Sequence, residues 1–340
     1  MTNLSLCSGF GGLDIAVEQI TGNKTLVYAE NDPFAAQVMA ARFPHATNLG
    51  DITAINWAGL AQDHHFDTVT AGFPCQGLSN AGLRKGFLDA RSALWKNVAE
   101  AVRVLRPHLV FLENVAAIRS RGLGEVVADL AQVGYDARWT CVRAGDPAVG
   151  APHPRDRWFL IAHPAAEDPD SAAWRQRWPA APRQAESRGA RTDPGGRGRL
   201  LAAAPAGGIA LLPTPKASDG PNGGPNQRDG QGNYYLPGMA VRLGQDWVAH
   251  DGTDYGPAIR RWESVLGRRA PFPTEPGSRG NRRLTPPFVE WLMGAPEGWV
   301  TGLGLPRAQQ LKILGNGVVT LQAIEGYRRL LCADLEAMAA

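Results

Sequence analysis

Cys75 is the residue of this 340-residue sequence whose setting best suits nucleophilic chemistry. It lies in the segment Gly72-Phe-Pro-Cys-Gln76, directly after an apolar run of strand length. Gly and Pro force a turn there and polar residues follow, so we expect an exposed loop in which a nearby cation or helix N-terminus stabilises the thiolate. The simpler interpretation of a free cysteine is a small buried core residue, which fits Cys7, Cys141 and Cys332.

A carboxylate and two arginines stand beside other predicted strands. Glu113 follows the apolar run His108–Leu112, and partial burial there would raise its pKa and let it donate a proton near neutral pH. Arg155 and Arg157 precede the run Trp158–Ala162, and their alternate spacing points both side chains to one side of an extended chain. Two cations placed in this way suit a thiolate, an anionic intermediate or a phosphate. The simpler alternatives are a cap or an ion pair for the carboxylate and a solvated face for the arginines.

A glycine-rich turn precedes the first predicted helix. The segment Ser8-Gly-Phe-Gly-Gly12 would let a ligand approach the main chain, although Asp14 stands where a dinucleotide-binding pattern has its third glycine. Glu30, about twenty residues on, could accept hydrogen bonds from both ribose hydroxyls of an adenosine, and Asp51 follows a later apolar stretch. Each feature alone is typical of a turn or a cap. Together they indicate an adenosine-containing cofactor at the carboxyl edge of a sheet.

Alternating strands and helices must position these residues. Helical stripes separate several of the apolar runs, and the first stripe carries Leu13, Ala16, Val17 and Ile20 on one face. Strands that alternate with such helices predict an α/β fold, with a parallel sheet covered by helices on both faces. The predicted strands are Asn3–Cys7, Thr25–Ala29, Asp67–Ala71, His108–Leu112, Arg138–Val142 and Trp158–Ala162.

The character of the sequence changes after about Ala162. Pro, Gly, Arg, Asn, Asp and Ser then dominate, and periodicity is almost lost until Leu284–Leu292 and a last helix from about Leu321 to Leu335. We therefore expect a first domain, a loop-rich second domain, and a return segment whose helix completes the first domain. The three predicted parts are residues 1–162, 163–281 and 282–340.

Composition and charge exclude several classes of protein. Hydrophobic residues make up 44% of the chain, enough for a sizeable core, while 40 Gly and 26 Pro argue against a helical bundle. The net charge of +3 conceals the segment Ser171–Leu200, which holds seven arginines and two acidic residues. The alternative interpretation of residues 165–205 is a solvated or disordered linker. Four cysteines without a Cys-x-x-Cys pair, and the lack of a His or Cys cluster spaced for zinc, predict neither a disulfide scaffold nor a metal site. The sequence shows no membrane span or signal peptide pattern, so we expect a cytoplasmic protein.

The order and spacing of these motifs resemble the cytosine-5 DNA methyltransferase family. Ser8–Gly12 is similar to the family's cofactor loop, Gly72–Gln76 to its nucleophile motif and Glu113–Val115 to its acid motif. The pair Arg155-x-Arg157 is similar to the family's paired arginines, and the resemblance is interrupted only across the second domain. Further matching segments are Asp89–Trp95, Arg283–Pro286 and Gly315–Val318, while Phe288–Gly294 and Leu212–Pro215 look most like bacteriophage and actinobacterial members.

This resemblance implies a Rossmann-like S-adenosylmethionine-dependent methyltransferase sheet with a smaller, loop-rich target-recognition domain. Cys75 would add as a thiolate to carbon 6 of cytosine, which turns the ring into an enamine whose carbon 5 attacks the methyl group. Glu113 would hydrogen-bond or protonate ring nitrogen 3, Arg157 would hold the carbonyl oxygen of the base, and Arg155 would help to order the site. Glu30 would contact the ribose, Asp51 the adenine amino group, and Asn316 with Val318 would close the pocket. The residues expected at the cofactor are Phe10, Gly11, Gly12, Glu30, Asp51, Pro74, Asn316 and Val318.

The resemblance also implies double-stranded DNA as the partner. A cytosine within a base-paired stack is out of reach, so it must be flipped out of the duplex. The Gly-rich, basic segment Gln76–Arg91 is expected to close over the flipped base as a lid, and the arginine-rich segment to grip phosphates and read bases. The expected DNA contacts are Gln76, Ser79, Arg84, Lys85 and Arg91. We expect a monomer without a metal ion.

Two positions depart from the family's pattern and leave alternatives open. His153 stands where the family has a glutamine two residues before the first arginine, and Thr320 stands where a proline is usual. One alternative function is cytosine-5 methylation of an RNA resembling transfer RNA, since a branch of the same family has that substrate. The other is a DNA-binding relative with weak or lost catalysis.

Overall fold

The computed structural model describes residues 1–74, 93–165, 208–277 and 280–339. Within these ranges the chain forms a seven-stranded sheet with helices on both faces, and a separate two-stranded sheet. The lid expected at Gln76–Arg91 and the segment Ser171–Leu200 lie outside the described residues. Six of the site residues expected from the sequence also lie outside them: Cys75, Gln76, Ser79, Arg84, Lys85 and Arg91.

The strands follow the predicted order with small shifts of their ends. The strand that carries Glu113 is longer than predicted, because Glu113 pairs with Phe159 of the neighbouring strand and so continues the sheet. The prediction that Glu113 follows its strand is therefore wrong. The strands are β1 (Thr2–Leu6), β2 (Lys24–Ala29), β3 (Thr47–Asn48), β4 (Thr68–Ala71), β5 (Leu109–Val115), β6 (Tyr135–Arg143), β7 (Asp156–Pro164), β8 (Thr274–Pro276) and β9 (Arg282–Leu284).

Helices connect most of the strands. In the described part of the chain, none of them combines the length and apolar character that a membrane span requires. The helices are α1 (Gly12–Thr21), α2 (Pro33–Arg42), α3 (Trp57–Asp63), α4 (Ala93–Leu105), α5 (Ile118–Arg121), α6 (Leu123–Gln132), α7 (Leu236–Ala240), α8 (Gly256–Leu266), α9 (Pro286–Leu292), α10 (Arg307–Asn316) and α11 (Thr320–Ala339).

The seven-stranded sheet has the order β3-β2-β1-β4-β5-β7-β6. Strands β1 to β5 pair in parallel, as the alternation of strands and helices predicts. Strand β7 is antiparallel to both of its neighbours, so the prediction of an all-parallel sheet is wrong at this edge. The reason is the short connection from Ala144 to Arg155, which contains no helix and turns the chain straight back.

Two hydrophobic cores cover the faces of this sheet. One core includes residues of α1 and α11, and Tyr327 of α11 packs edge-on against Phe111 and Phe159. The other core includes residues of α4 and α6, with Trp95 and Val98 fully buried in it. Because both faces are covered, the loops at the carboxyl ends of the parallel strands remain as the place for a ligand.

The described residues between 208 and 277 share the first of these cores. Leu212, Leu236 and Ile259 are buried in the same hydrophobic cluster as Phe288 and Trp291 of the return segment. The nitrogen Nε1 of Trp262 donates to the main-chain oxygen of Trp291 at 2.9 Å. Packing thus holds this part of the second region against the return segment.

Candidate active site

A cavity of about 360 Å³ opens at the carboxyl ends of β1, β2, β4 and β5. Its volume lies within the range of small-molecule sites. Eight of the residues expected at the site line it: Phe10, Gly12, Glu30, Pro74, Glu113, Arg157, Asn316 and Val318. Three others, Gly11, Asp51 and Arg155, are described by the structure but do not line it.

The loop between β1 and α1 forms one wall of the cavity. Cys7, Gly9 and Gly11 have positive φ angles of 55°, 58° and 81°, a conformation that glycine adopts without strain. A Cβ atom at Gly9 would meet nothing within 4 Å, so its main chain is open to a ligand. A Cβ atom at Gly11 would lie 2.6 Å from the ring of Phe43, so Gly11 is required by packing behind the loop.

Phe10 joins this loop to the Asn316–Val318 turn. Its ring is fully buried, and a Cβ atom at Gly12 would lie 2.7 Å from it. A Cβ atom at Gly317 would also overlap the ring, so both glycines admit the aromatic side chain. The main-chain oxygen of Phe10 accepts a hydrogen bond from Nε1 of Trp299 at 2.8 Å. The ring of Phe10 therefore supports the cavity wall from the protein interior.

Cys7 lies beside the cavity and not in the core that the simpler interpretation of its sequence predicts. Burial, with the nearby carboxylates of Glu30 and Asp51, raises the pKa of the Cys7 thiol to about 12. The thiol therefore stays protonated near neutral pH and is a poor nucleophile. It contributes a small, uncharged surface to the cavity.

Glu30 follows the end of β2 and holds two main-chain amides. Its Oε2 accepts from the nitrogen of Gly9 at 2.8 Å, and its Oε1 accepts from the nitrogen of Asp32 at 2.8 Å. Burial raises the pKa of this carboxyl group, although the two amide donors oppose the shift. Each oxygen keeps a lone pair for a further donor, so the carboxylate can hold both the loop and a ligand hydroxyl.

Asp51 lies at the rim of the cavity between Gly50 and Ile52, which line it. Its Oδ1 accepts from the main-chain nitrogen and the hydroxyl of Thr53, both at 2.8 Å, and so caps a short 3-10 turn. These bonds lower the pKa of the exposed carboxyl group. Asp51 thus has the capping geometry that a lone acid after a strand predicts, and its main-chain neighbours face the ligand space.

Glu113 and Arg157 form an ion pair inside the cavity, with Nε of Arg157 2.8 Å from Oε1 of Glu113. Both side chains are largely buried. Burial raises the pKa of Glu113, and the charges of Arg157 and Arg155 oppose that shift. The site thus holds a carboxyl group inclined toward its protonated form beside a cation that the ligand can share.

Arg155 faces away from the cavity. Its guanidinium is buried and donates to main-chain oxygens of Pro215 and Gly315 at 3.2 and 3.3 Å, and to that of Gly317. These bonds tie the start of β7 to the Gly315–Val318 turn. The two arginines therefore have different partners, whereas their alternate spacing alone predicts a common face.

The two residues that depart from the family's pattern, His153 and Thr320, are buried and contact main-chain oxygens. Nε2 of buried His153 lies 3.0 Å from the main-chain oxygen of Leu292, and burial lowers the pKa of the ring to about 3, so it stays neutral. The hydroxyl of Thr320 donates to the main-chain oxygen of Gly12 at 3.3 Å at the start of α11. Neither residue lines the cavity.

Asn114 and Lys312 contribute to the site although neither was among the site residues expected from the sequence. Nδ2 of Asn114 donates to the main-chain oxygen of Phe73 at 3.1 Å, which ties β5 to the loop that leads to Cys75. Lys312 of α10 lines the cavity, and its Nζ lies 2.7 Å from Oδ2 of Asp32. The only signal for Asn114 was its position beside Glu113, and Lys312 had none.

The first part of the chain, which carries most of the motifs described above, is similar to known DNA methylases. Residues 1–190 match the family model of C-5 cytosine-specific DNA methylases. The type II methyltransferase M.NlaX of Neisseria lactamica is 34% identical over 163 residues, which cover 46% of this chain and 50% of that protein. The type II methyltransferase M.HhaI of Haemophilus parahaemolyticus is 35% identical over 162 residues, which cover 46% and 47%. The chain thus spans about half the length of these relatives.

The likeness in structure extends over the whole chain. The solved structure of the Entamoeba histolytica methyltransferase EhMeth matches with a TM-score of 0.61 at 16% identity, and the match covers 98% of both chains. At that identity the match concerns the fold alone. It confirms the predicted α/β methyltransferase fold.

Proposed function

Because the chain belongs to the C-5 cytosine-specific DNA methylase family, we propose that it transfers a methyl group from S-adenosylmethionine to carbon 5 of a cytosine in duplex DNA. Cys75 is the proposed nucleophile, Glu113 the proton donor, and Arg157 the group that holds the base. We further propose a catalytic domain at 1–162, a target-recognition domain at 163–281 and a return segment at 282–340.

One observation carries this proposal: the nucleophile motif and the acid motif are bonded to each other at the cavity. The hydrogen bond from Asn114 to Phe73 joins the two motifs. A Cβ atom at Gly72 would lie 3.8 Å from Oε2 of Glu113, so the carboxyl group faces the end of β4, three residues before Cys75. A base that contacts Glu113 would therefore lie near Gly72 and Phe73, which precede Cys75 in the sequence.

The ion pair suits recognition of cytosine through its polar edge. The protonated carboxyl group of Glu113 donates to ring nitrogen 3 and withdraws electrons from carbon 6, where the thiolate of Cys75 adds. Arg157 donates to the adjacent carbonyl oxygen with a guanidinium nitrogen that Glu113 does not use. After the methyl transfer, loss of the proton from carbon 5 expels Cys75 and restores the aromatic ring.

The cavity also fits the methyl donor. The open main chain at Gly9 and the half-buried carboxylate of Glu30 offer the donors and acceptors that a nucleoside needs. S-adenosylmethionine supplies an electrophilic methyl group on a sulfonium, so the protein's own task is to bind and orient. Glu30 would accept from the ribose hydroxyls, and the main chain around Gly50 and Ile52 would border the adenine.

Replacing Glu30 with alanine should weaken S-adenosylmethionine binding by about 10- to 100-fold. Hydrogen bonds to a charged group contribute about 1.5–3 kcal/mol each, and the Gly9 amide would also lose its acceptor. Isothermal titration calorimetry on the full chain measures the change. The control is Asp63→Ala, which removes an exposed carboxylate at the end of α3 and should leave the affinity unchanged. Wild-type affinity in Glu30→Ala would exclude the ribose contact.

A cationic and aromatic surface near the cavity supports DNA as the partner. The guanidinium carbons of Arg228 and Arg242 both lie 3.7 Å from the ring centroid of Tyr234, so they must stack on its opposite faces. The ammonium of Lys216 lies 3.9 Å from the ring of Tyr235. We call these five residues the Tyr234 surface.

The charges of the Tyr234 surface are available to an anion. Among the described residues, no carboxylate forms an ion pair with Lys216, Arg228 or Arg242. Asp219 and Asp229 are the acidic groups that act on the charge of Lys216, and both carboxylates already accept main-chain hydrogen bonds.

This surface also borders the cavity. A Cβ atom at Gly315, which lines the cavity, would overlap the main chain of Lys216. A DNA backbone on the Tyr234 surface would therefore pass close to the opening through which a flipped base enters.

Replacing both Arg228 and Arg242 with alanine should weaken DNA binding and flatten its salt dependence. Each lost phosphate contact lowers the slope of log affinity against log salt concentration by about 1, so we expect a decrease of about 2. Fluorescence anisotropy with a labelled duplex over a series of salt concentrations measures the slope. The control removes Arg103 and Arg329, which pair with Glu100 within α4 and with Glu325 within α11. An unchanged slope in the Arg228/Arg242 variant would show that these residues do not contact DNA.

The proposed reaction is tested with labelled S-adenosylmethionine and two substrates, duplex DNA and transfer RNA. Incorporation into DNA alone supports the proposal, whereas incorporation into RNA alone would favour the RNA alternative. DNA binding without incorporation would favour the non-catalytic relative. Bisulfite sequencing of the methylated DNA then gives the recognised sequence. The monomeric state and the cytoplasmic location stay predictions.

A further inference from the structure

Three potential metal ligands meet at the edge of the sheet opposite the cavity. Asp67 directly precedes β4, His65 lies two residues before Asp67, and His108 directly precedes β5. Their ligand atoms all lie within 4.8 Å of one another. Because Thr68 pairs with Leu109 in the parallel sheet, the preceding residues Asp67 and His108 stand side by side.

We propose that His65, Asp67 and His108 bind one divalent transition-metal ion of the zinc, cobalt or nickel type. Two imidazole nitrogens and one carboxylate oxygen form a donor set that these ions accept, with further positions left for water. Calcium and magnesium fit poorly, because they prefer oxygen ligands throughout.

Hydrogen bonds around the cluster hold the ligands in place. The main-chain nitrogen of Thr2 donates to Oδ2 of Asp67 at 2.7 Å, and the hydroxyl of Thr2 donates to the main-chain oxygen of His65 at 2.6 Å. The main-chain nitrogen of His108 donates to the oxygen of Asp67 at 2.9 Å. The carboxylate of Asp67 is thus oriented by a residue outside the cluster, as metal ligands usually are, and main-chain bonds hold the backbone of His65 and His108 beside it.

The two imidazoles also have compatible orientations. The ring centroids of His65 and His108 are 5.9 Å apart, with an angle of 70° between the ring planes. The neighbouring His64 does not share the site, because its ring stacks on Phe66 at 5.6 Å. With ligand atoms within 4.8 Å of one another, rotation of the side chains is the movement that would bring one nitrogen of each ring to a common ion.

A bound ion would connect the starts of β4 and β5, and through Thr2 the start of β1. These strand starts lie at the amino edge of the sheet, whereas the cavity lies at the carboxyl edge. The ion therefore stabilises the fold by binding the folded state and takes no part in methyl transfer. This inference is independent of the proposed function, and either one can fail alone.

Cobalt binding to the full-length protein tests the site. The protein carries no polyhistidine tag and is first treated with a chelator, and Co²⁺ is then added while the visible spectrum is recorded. We expect one equivalent to bind and to produce visible d–d bands without a sulfur-to-cobalt charge-transfer band. Co²⁺ should also raise the temperature of unfolding.

The variants His65→Ala and His108→Ala should each weaken binding by at least about tenfold and remove the thermal shift. The exposed His65 can be replaced without disturbing the core, which protects the test against a folding defect in the second variant. The control His45→Ala removes an exposed imidazole elsewhere and should bind as the wild type does. Unchanged affinity in both ligand variants, or a thiolate charge-transfer band, would overturn the proposal.

Discussion

Cys75→Ala should reduce methyl transfer to background, a loss on the order of 10⁴-fold or greater. Carbon 5 of cytosine is a weak nucleophile until a thiolate adds to carbon 6, so the reaction has no path of comparable rate without this residue. Cys75 lies outside the described residues, but Gly72 and Pro74 before it line the cavity beside Glu113. The measurement is incorporation of labelled methyl groups into duplex DNA.

A control variant and an experiment that traps the covalent intermediate show whether the loss of activity is specific to Cys75. Cys141→Ser changes a half-buried thiol of β6 whose pKa burial raises to about 11, and it should retain activity. A duplex with fluorine at carbon 5 of the target cytosine cannot lose a proton there, so wild-type enzyme should accumulate as a covalent complex with DNA. Cys75→Ala should form none. Wild-type incorporation by Cys75→Ala would assign the nucleophile elsewhere.

The sequence predicted the parallel part of the sheet well, because local patterns encode it. Six apolar runs became six strands, since each must be buried between helices whatever the distant contacts are. The strand β7 was predicted but its antiparallel direction was not, because the direction depends on how the connection after β6 folds.

The sequence predicted which residues belong to the site better than it predicted the directions of their side chains. Phe10 and Arg155 belong to segments that form the cavity, yet both side chains point into the protein and fix its walls. Their directions are set by the Gly315–Val318 turn, about 300 residues from Phe10 in sequence. The spacing of residues along one segment cannot show which other segment their side chains contact.

The cluster of His65, Asp67 and His108 likewise could not be predicted from the spacing of residues along one segment. Spacing along the sequence predicts no metal site, because one of the three ligands comes from a different strand. Only the parallel pairing of β4 and β5 places His108 beside Asp67. The hydrogen bonds of Thr2 complete the arrangement from a third strand, so three separate segments must be folded before the cluster exists.

Glu113→Gln should lower kcat by about 10²- to 10⁴-fold, the usual contribution of a general acid. Glutamine keeps the size of the side chain and can still donate a hydrogen bond, but it cannot transfer a proton to ring nitrogen 3. Burial raises the pKa of Glu113 above the ordinary value of 4.5, so the proton-donating form persists to higher pH than in an exposed glutamate. The fraction in that form, and with it kcat, should fall as the pH rises through the raised pKa.

The shape of the pH profile separates this role from a structural one. Wild-type kcat should show a limb that rises with pH, from formation of the Cys75 thiolate, and a limb that falls with pH, from deprotonation of Glu113. Glu113→Gln should lose only the falling limb. The control Glu100→Gln removes an exposed carboxylate of α4 that pairs with Arg103, and it should keep both limbs. If Glu113→Gln has reduced kcat but retains the falling limb, Glu113 positions Arg157 through the ion pair and another group supplies the proton.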